Sequence, residues 1–215
     1  MFENRGALGS ISLNGMPSEE RRLKDGDLLQ VGEAIFHFLE GVDVFSNLYA
    51  ELSRVAHRDF LTGAFNQGYF WYILQEWTNL STRMKSPLSL VMIDVDDFKR
   101  INTDHGHNGG DFILKHVVKR ISHRLRKGDI FCRSGGDELS IILPNTTKEN
   151  ALKVAEEIRQ EIAREPFIYE GVQIPITLSV GVSEYQSGMT KEQFHGAADQ
   201  MMYKVKKLGK NRVEG

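Results

Sequence analysis

Two carboxylate clusters stand where a chain can hold a hard cation beside a phosphate. Asp94 and Asp96 lie in residues 90–99, and Asp137 and Glu138 lie in residues 134–139. Both clusters abut apolar runs that read as buried strands, so the four acids can meet at one edge of a sheet. Carboxylates on a divalent cation would draw phosphate oxygens and an attacking hydroxyl into one place, which suits phosphoryl or nucleotidyl transfer. Asp94 and Asp96 are two positions apart, so an uninterrupted strand would turn both to one side. If the strand ends near Asp94, the Val95 carbonyl can turn toward the cation while Asp96 orients the loop. Asp94 is therefore the stronger ligand candidate, and solvated acids beside strand ends are the ordinary alternative for either cluster taken alone.

The elements that would position these acids can be read from spacing. Residues 88–95, dense in Leu, Val, Met and Ile, suit a central strand after Pro87. Residues 131–134 and 139–143 are short apolar segments around Gly135-Gly136-Asp137-Glu138. The two glycines permit a tight hairpin that projects the acidic pair. Asp59-Phe-Leu-Thr-Gly63 offers a polar turn, and Phe70, Ile73, Leu74 and Trp77 mark one side of a following helix. From Asp111, the positions Leu114, Val117, Val118, Ile121 and Leu125 predict an amphipathic helix ending at Lys127-Gly128. Thr147 should cap the next helix, which carries Ala151, Val154, Ala155, Ile158 and Ile162 inward and stops at Pro166. Residues 168–172 and 174–182 read as a hairpin about Gly171. A last helix follows with Phe194, Ala197, Ala198, Met201, Met202 and Val205. This alternation is an α/β or α+β order with antiparallel pairing.

Composition is that of an ordinary globular chain: 215 residues, 40% hydrophobic, 26% charged, net charge -2. No basic excess points to nucleic acid, and no segment approaches the length of a membrane span or a signal core. The lone Cys132 sits in a strand-like segment, which fits a reducing, cytoplasmic setting without disulfides. His105 and His107 lack the partners of a zinc site.

Taken in order, Asp59-Phe-Leu-Thr-Gly63, Asp94-Val-Asp-Asp-Phe-Lys99, Asn102, Gly106-His107, Gly110-Asp111, Arg133-Ser-Gly-Gly-Asp-Glu-Leu139, Ser179-Val-Gly181, Ala198-Asp199, Tyr203 and Gly209-Lys-Asn-Arg212 resemble the signature of the GGDEF, or diguanylate cyclase, domain. The likeness covers residues 59–215. It implies an α+β, nucleotide-cyclase-like palm domain with a mainly antiparallel central sheet flanked by helices. It also implies that two GTP become cyclic di-GMP and two pyrophosphates, in a homodimer whose subunits each hold one GTP.

By the same resemblance, Asp94, the Val95 carbonyl, Asp137 and Glu138 form a centre for Mg²⁺ or Mn²⁺, with Asp137 or Glu138 assisting deprotonation. Asn102 and Asp111 read guanine. An Asp carboxylate accepts from guanine N1–H and the exocyclic amine, donors that adenine lacks. Asp111 also begins the expected helix and could cap it. Phe98 and Lys99 occupy the phosphate-binding turn, and Lys206 and Lys210 meet the terminal phosphates, unless they are a solvated basic face. Lys210 stands where Arg is common and loses the bidentate fork. Arg126 and Asp129 match the RxxD site at which cyclic di-GMP inhibits, although a helix-end ion pair would give the same pattern. Leu139, Ser134, Thr103 and Gln67 depart from the family pattern without removing the main ligand set.

Residues 1–40 differ from the rest. Asn14-Gly15, the turn at residues 23–27, Val31-Gly32 and the strand-like residues 34–39 resemble the last part of a forkhead-associated domain, a β module that reads phosphothreonine. A regulatory phosphoprotein would be the partner of a complete domain of that kind. Val44 or Phe45, Leu48, Leu52 and Val55 place a helical linker or stem at residues 41–58, lying on its own domain or paired with a second copy. Two other readings compete with the cyclase: a catalytically weak or inactive cyclic di-GMP receptor that uses Arg126 and Asp129, and a phosphopeptide-responsive scaffold. The expected partners include neither nucleic acid nor membrane.

Overall fold

The computed structural model describes residues 2–3, 11–13, 16–17, 20–24, 27–31, 34–37 and 56–215. The chain divides into two compact units, Met1–Arg54 and Val55–Gly215. In the first unit, β1 (Phe2–Glu3) pairs with β4 (Glu20–Arg21), and β2 (Ile11–Leu13), β3 (Met16–Pro17), β5 (Leu28–Val31) and β6 (Ala34–His37) form an antiparallel sheet in the order β3-β2-β5-β6. The expected turn residues Asn14-Gly15 and Asp25-Gly26 lie outside the described residues, as does the stem up to Val55. Asp27 still closes its turn by accepting from the Lys24 amide at 2.8 Å.

The second unit is built on one mixed sheet. Helix α1 (Gln67–Met84) leads into β7 (Leu88–Val95), α2 (Phe98–Ser122), β8 (Ile130–Gly135) and β9 (Glu138–Pro144). Then come α3 (Lys148–Arg164), the small hairpin β10 (Phe167–Tyr169) and β11 (Val172–Ile174), β12 (Leu178–Glu184), α4 (Lys191–Lys207) and β13 (Arg212–Glu214). The order is β13-β12-β7-β9-β8, and only the β12–β13 pair is parallel.

Strand β7 is buried along its whole length and alternates between two cores. Val91, Ile93 and Val95 face the layer made with α2 and α3, whereas Leu88, Leu90 and Met92 face the layer made with α1 and α4. Each buried Leu, Ile or Val contributes roughly 1.5–3 kcal/mol, so the apolar run can carry one costly acid at its end. Helix α4 lies directly on β12. A Cβ at Gly181 would stand 2.2 Å from the Ala198 carbonyl and 2.3 Å from the Met202 amide, so glycine sets that close approach.

Three expectations about elements are corrected. Helix α2 starts at Phe98 rather than Asp111 and is broken at Gly106 (φ 70°, ψ 172°). It ends at Ser122, ahead of Lys127-Gly128. The run 174–182 is not one strand: Pro175 and the two residues after it separate β11 from β12, which belong to different sheets. Of the inward set assigned to the last helix, Ala197 and Met201 are only half-buried. Thr147 caps α3 as expected, its side chain accepting from the Asn150 amide.

Candidate active site

Strand parity puts the first two acids together. Asp94 follows Leu90 and Met92 onto the α1/α4 face, and Glu138 follows Ile142 and Ser140 onto the same face of β9. The register pairs Asp94 directly with Glu138 across the ladder, an arrangement that holds Cβ atoms about 5 Å apart. The Val95 amide donates to the Asp137 carbonyl at 3.4 Å, which ties the end of β7 to the β8–β9 turn. Among the described residues, no three His, Cys, Asp or Glu side chains converge tightly enough to hold an ion by themselves. Mg²⁺ does not need such a cage, because it keeps waters and takes one or two carboxylates plus substrate phosphates. The oxygen-only set of Asp94, the Val95 carbonyl, Asp137 and Glu138 fits that requirement.

Asp94 is buried, and its carboxylate accepts from Lys206 Nζ of α4 at 2.7 Å. Burial pushes its pKa up to about 6. The Lys206 ammonium opposes that rise, and the charges of Asp137 and Asp96 add to it. Asp96 has a different task. It is buried and accepts from Thr177 Oγ1 and Ser179 Oγ, each at 2.6 Å, and from the Asn211 amide at 3.1 Å. Of the two arrangements open to these acids, the strand ends at Val95 and Asp96 braces the loop. Asp97 follows in left-handed backbone (φ 57°) and pairs with Lys210 Nζ at 2.7 Å. The hydrogen bond from Lys210 holds the Asp97 carboxyl below the ordinary range.

Phe98 and Lys99 open α2, where free backbone N–H groups face the turn. Asn102 lies on the segment before the break at Gly106 and Asp111 on the segment after it. Both are half-buried, and neither side chain has a partner among the described residues. The amide of Asn102 lies over Gly110, so close that a Cβ there would stand 1.9 Å from its Oδ1. The capping role for Asp111 falls away, because the helix runs through that residue.

Arg126 and Asp129 sit apart from this group, between α2 and β8. Arg126 Nε donates to Asp129 Oδ1 at 2.8 Å, and Nη2 donates to the Pro144 carbonyl at 2.6 Å and to Thr146 Oγ1 at 2.7 Å. The helix-end ion pair is therefore formed, on the rim of a small cavity that also takes in Arg124, Asn145 and Asn150.

Sequence reasoning missed Arg133 as a positioning residue. Its Nε and Nη2 donate to the Gly136 carbonyl at 2.9 and 2.7 Å, while Nη1 donates to both Asp59 oxygens at 3.1 and 3.2 Å. Asp59 also accepts from the Thr62 amide and hydroxyl at 2.9 and 2.6 Å. Burial alone would raise its pKa, but these bonds from Thr62 and Arg133 hold it below 3.8. The available signal was an Arg just before the Gly-Gly turn and an Asp far upstream to receive it. The departures from the signature are absorbed: Leu139 is fully buried, and Ser134 bonds to Ser140 Oγ at 2.7 Å.

Comparison with known proteins bears on this geometry. The family described as "Diguanylate cyclase, GGDEF domain" matches residues 56–212. Diguanylate cyclase A of Treponema denticola is 36% identical over 168 residues, 76% of this chain and 45% of that protein. The chain spans less than half the length of the curated relatives it matches. Among solved structures, the coiled coil and GGDEF domain of DgcB from Caulobacter crescentus, in complex with c-di-GMP, superposes with a TM-score of 0.75 at 26% identity, covering 79% of this chain and 90% of that one. Diguanylate cyclase SiaD from Pseudomonas aeruginosa, in complex with its activator SiaC, gives 0.74 at 30% identity, covering 79% and 65%.

Proposed function

The chain belongs to the GGDEF family of diguanylate cyclases, and from that premise we propose that it condenses two GTP into cyclic di-GMP and two pyrophosphates. One observation carries the reading. Asp94 and Glu138 are register partners at the ends of two inner strands of the sheet, with the amino end of α2 and two lysines beside them and an unpartnered Asn102/Asp111 pair further along α2. Metal held by Asp94, the Val95 carbonyl, Asp137 and Glu138 would supply charge stabilisation to the triphosphate. The chain's own residues do the rest. Asn102 and Asp111 orient guanine, the first amides of α2 with Phe98 and Lys99 receive phosphate, and Lys206 and Lys210 meet its terminal groups.

In each half-reaction the 3′-oxygen of one GTP bonds to the α-phosphorus held by the opposite subunit, and the bond from that phosphorus to the bridging oxygen breaks. Pyrophosphate leaves, and the hydroxyl proton passes to a base, a role we assign to Asp137 or Glu138. Two chains must face each other, so the working unit is a homodimer. A cytoplasmic setting goes with GTP as substrate. We assign product inhibition to Arg126 and Asp129, which would have to exchange their mutual contacts for ligand contacts. We assign residues 1–40 as a partial forkhead-associated β segment, with which the antiparallel sheet among the described residues is compatible, residues 41–58 as the stem and residues 59–215 as the cyclase domain.

The test is incubation of nucleotide-free protein with GTP and Mg²⁺, followed by product identification, with ATP and the Asp137→Ala/Glu138→Ala variant as controls. Cyclic di-GMP formed only by the intact acidic pair supports the cyclase. The competing reading, a cyclic di-GMP receptor that uses Arg126 and Asp129, predicts binding of that ligand without turnover.

A further inference from the structure

Three successive acids of the β7–α2 turn hold the carboxyl-terminal segment. Asp94 takes Lys206 at 2.7 Å, Asp96 takes the Asn211 amide at 3.1 Å, and Asp97 takes Lys210 at 2.7 Å. Lys206 and Lys210 are the two cations that the cyclase reading assigns to phosphate, yet here both are engaged by carboxylates. Asp94 and Lys206 are partly buried, with side chains 11% and 35% exposed, so bulk water and salt screen this pair less than an exposed one. The Asp97 pair is more open, at 50% and 39%.

Resting on the cyclase reading, we propose that Lys206 is the resident counter-ion of Asp94, a placeholder that must release this carboxylate before a divalent cation can use it. The geometry makes two claims on one ammonium and two on one carboxylate. The Lys206 ammonium has donors enough for a carboxylate and a phosphate, but its single positive charge is divided between them, and the Asp94 carboxylate likewise divides its charge between Lys206 and a cation. Loading is therefore an exchange of partners: the cation takes Asp94 while the triphosphate takes Lys206. Each ligand lowers the cost of admitting the other, which is a coupling between two sites carried by one salt bridge. Without nucleotide, the ammonium competes with metal. With it, the competitor is drawn away.

This predicts shifts of opposite sign from one substitution. Gln at position 206 keeps an amide that can still hydrogen-bond Asp94 but removes the competing charge. At pH 8, nucleotide-free Lys206→Gln should bind Mn²⁺, followed by electron paramagnetic resonance, at least about fivefold tighter than the parent, the lower end of typical coupling. The same variant should bind α,β-methylene GTP in chelator at least about fivefold more weakly. Lys210→Gln, which leaves the Asp94 pair intact, should change the Mn²⁺ affinity less than about twofold. A merely structural Lys206 would weaken both ligands, and that result, or an unchanged Mn²⁺ affinity, overturns the exchange while leaving the cyclase reading standing. If neither protein binds Mn²⁺ at millimolar concentration without nucleotide, the carboxylates alone do not take the cation and the exchange is overturned, while a metal site completed by substrate phosphates is left standing. The unaltered protein gives a second reading by hydrogen exchange. Mn²⁺ alone should accelerate the Leu208 and Lys210 amides, which bond back to Lys204 and Val205, and unchanged exchange with Mn²⁺ bound overturns the proposal.

Discussion

The two ends of the candidate site are prepared in opposite ways. At the end proposed for guanine, Asn102 and Asp111 are half-buried and hold no partner among the described residues, so a base would meet groups with nothing to give up. At the end proposed for phosphate, Asp94 and Asp97 already hold Lys206 and Lys210, and Arg133 and Asp59 already grip the hairpin. A neutral base edge can be read by waiting donors and acceptors. A buried acid such as Asp94 cannot wait uncompensated, because a desolvated charge beside like charges is expensive. The site thus shows preorganisation by vacancy at one end and by internal neutralisation at the other.

The strongest way to break this contrast is at the acids. Asp137→Ala/Glu138→Ala should lower cyclic di-GMP formation at least about 10³-fold, roughly 4 kcal/mol of transition-state stabilisation, measured by initial rate at saturating GTP. Retained turnover would remove the metal assignment. At the other end, Asp111→Asn should cost about 10²-fold in kcat/KM for GTP and shrink the preference for GTP over ITP, which lacks the exocyclic amine. A preserved GTP/ITP ratio would show that guanine is read elsewhere. Lys210→Arg probes the cation already paired with Asp97. A guanidinium fork in place of the ammonium should shift the KM for GTP by about two- to fivefold with the GTP/ITP ratio untouched, and no shift would reject the phosphate role.

The smallest expected effect concerns the brace. Asp59→Ala removes the acceptor of Thr62 and Arg133 and should cost about 1–2 kcal/mol in urea unfolding at pH 7, again without altering the GTP/ITP ratio. Its pH dependence has a definite sign. The folded carboxyl titrates below the usual carboxylate range, so its contribution is present above the unfolded value and is lost as pH falls through the lower folded one. The variant and parent should therefore converge in strongly acidic solution. A gap that widened on acidification would contradict the Arg133–Asp59 contact.

Much of the scaffold was legible because local rules acted without competition. The apolar run of β7, the Gly135-Gly136 turn and the Thr147 cap each follow from a few neighbouring residues, and each stands close to its expected place. Legibility failed where two rules overlapped. Gly106, Gly109 and Gly110 interrupt helical spacing, so the helix read as starting at Asp111 although the chain is helical on both sides of one broken residue. Pro175 lies in a run whose β-branched residues argue for a strand, and the missing donor decided against it. In the site, the acids and Asn102 were visible as chemistry, whereas Arg133 and the three donors to Asp96 had no local signature.

By itself the sequence determined the kinds of group available, their order along the chain and, through the period of two, which face of each strand they share. Which face Asp94 and Glu138 share came from the register of β7 with β9. Only the tertiary structure decided their company. Lys206 reaches Asp94 across 112 positions because α4 packs on β12 at Gly181. Asp96 is claimed by Thr177, Ser179 and Asn211, and Arg126 is spent on Asp129, Pro144 and Thr146. Periodicity and turn chemistry act over a few residues, but a buried charge is neutralised by whichever partner the packing brings near, and that depends on register and on the distance between layers.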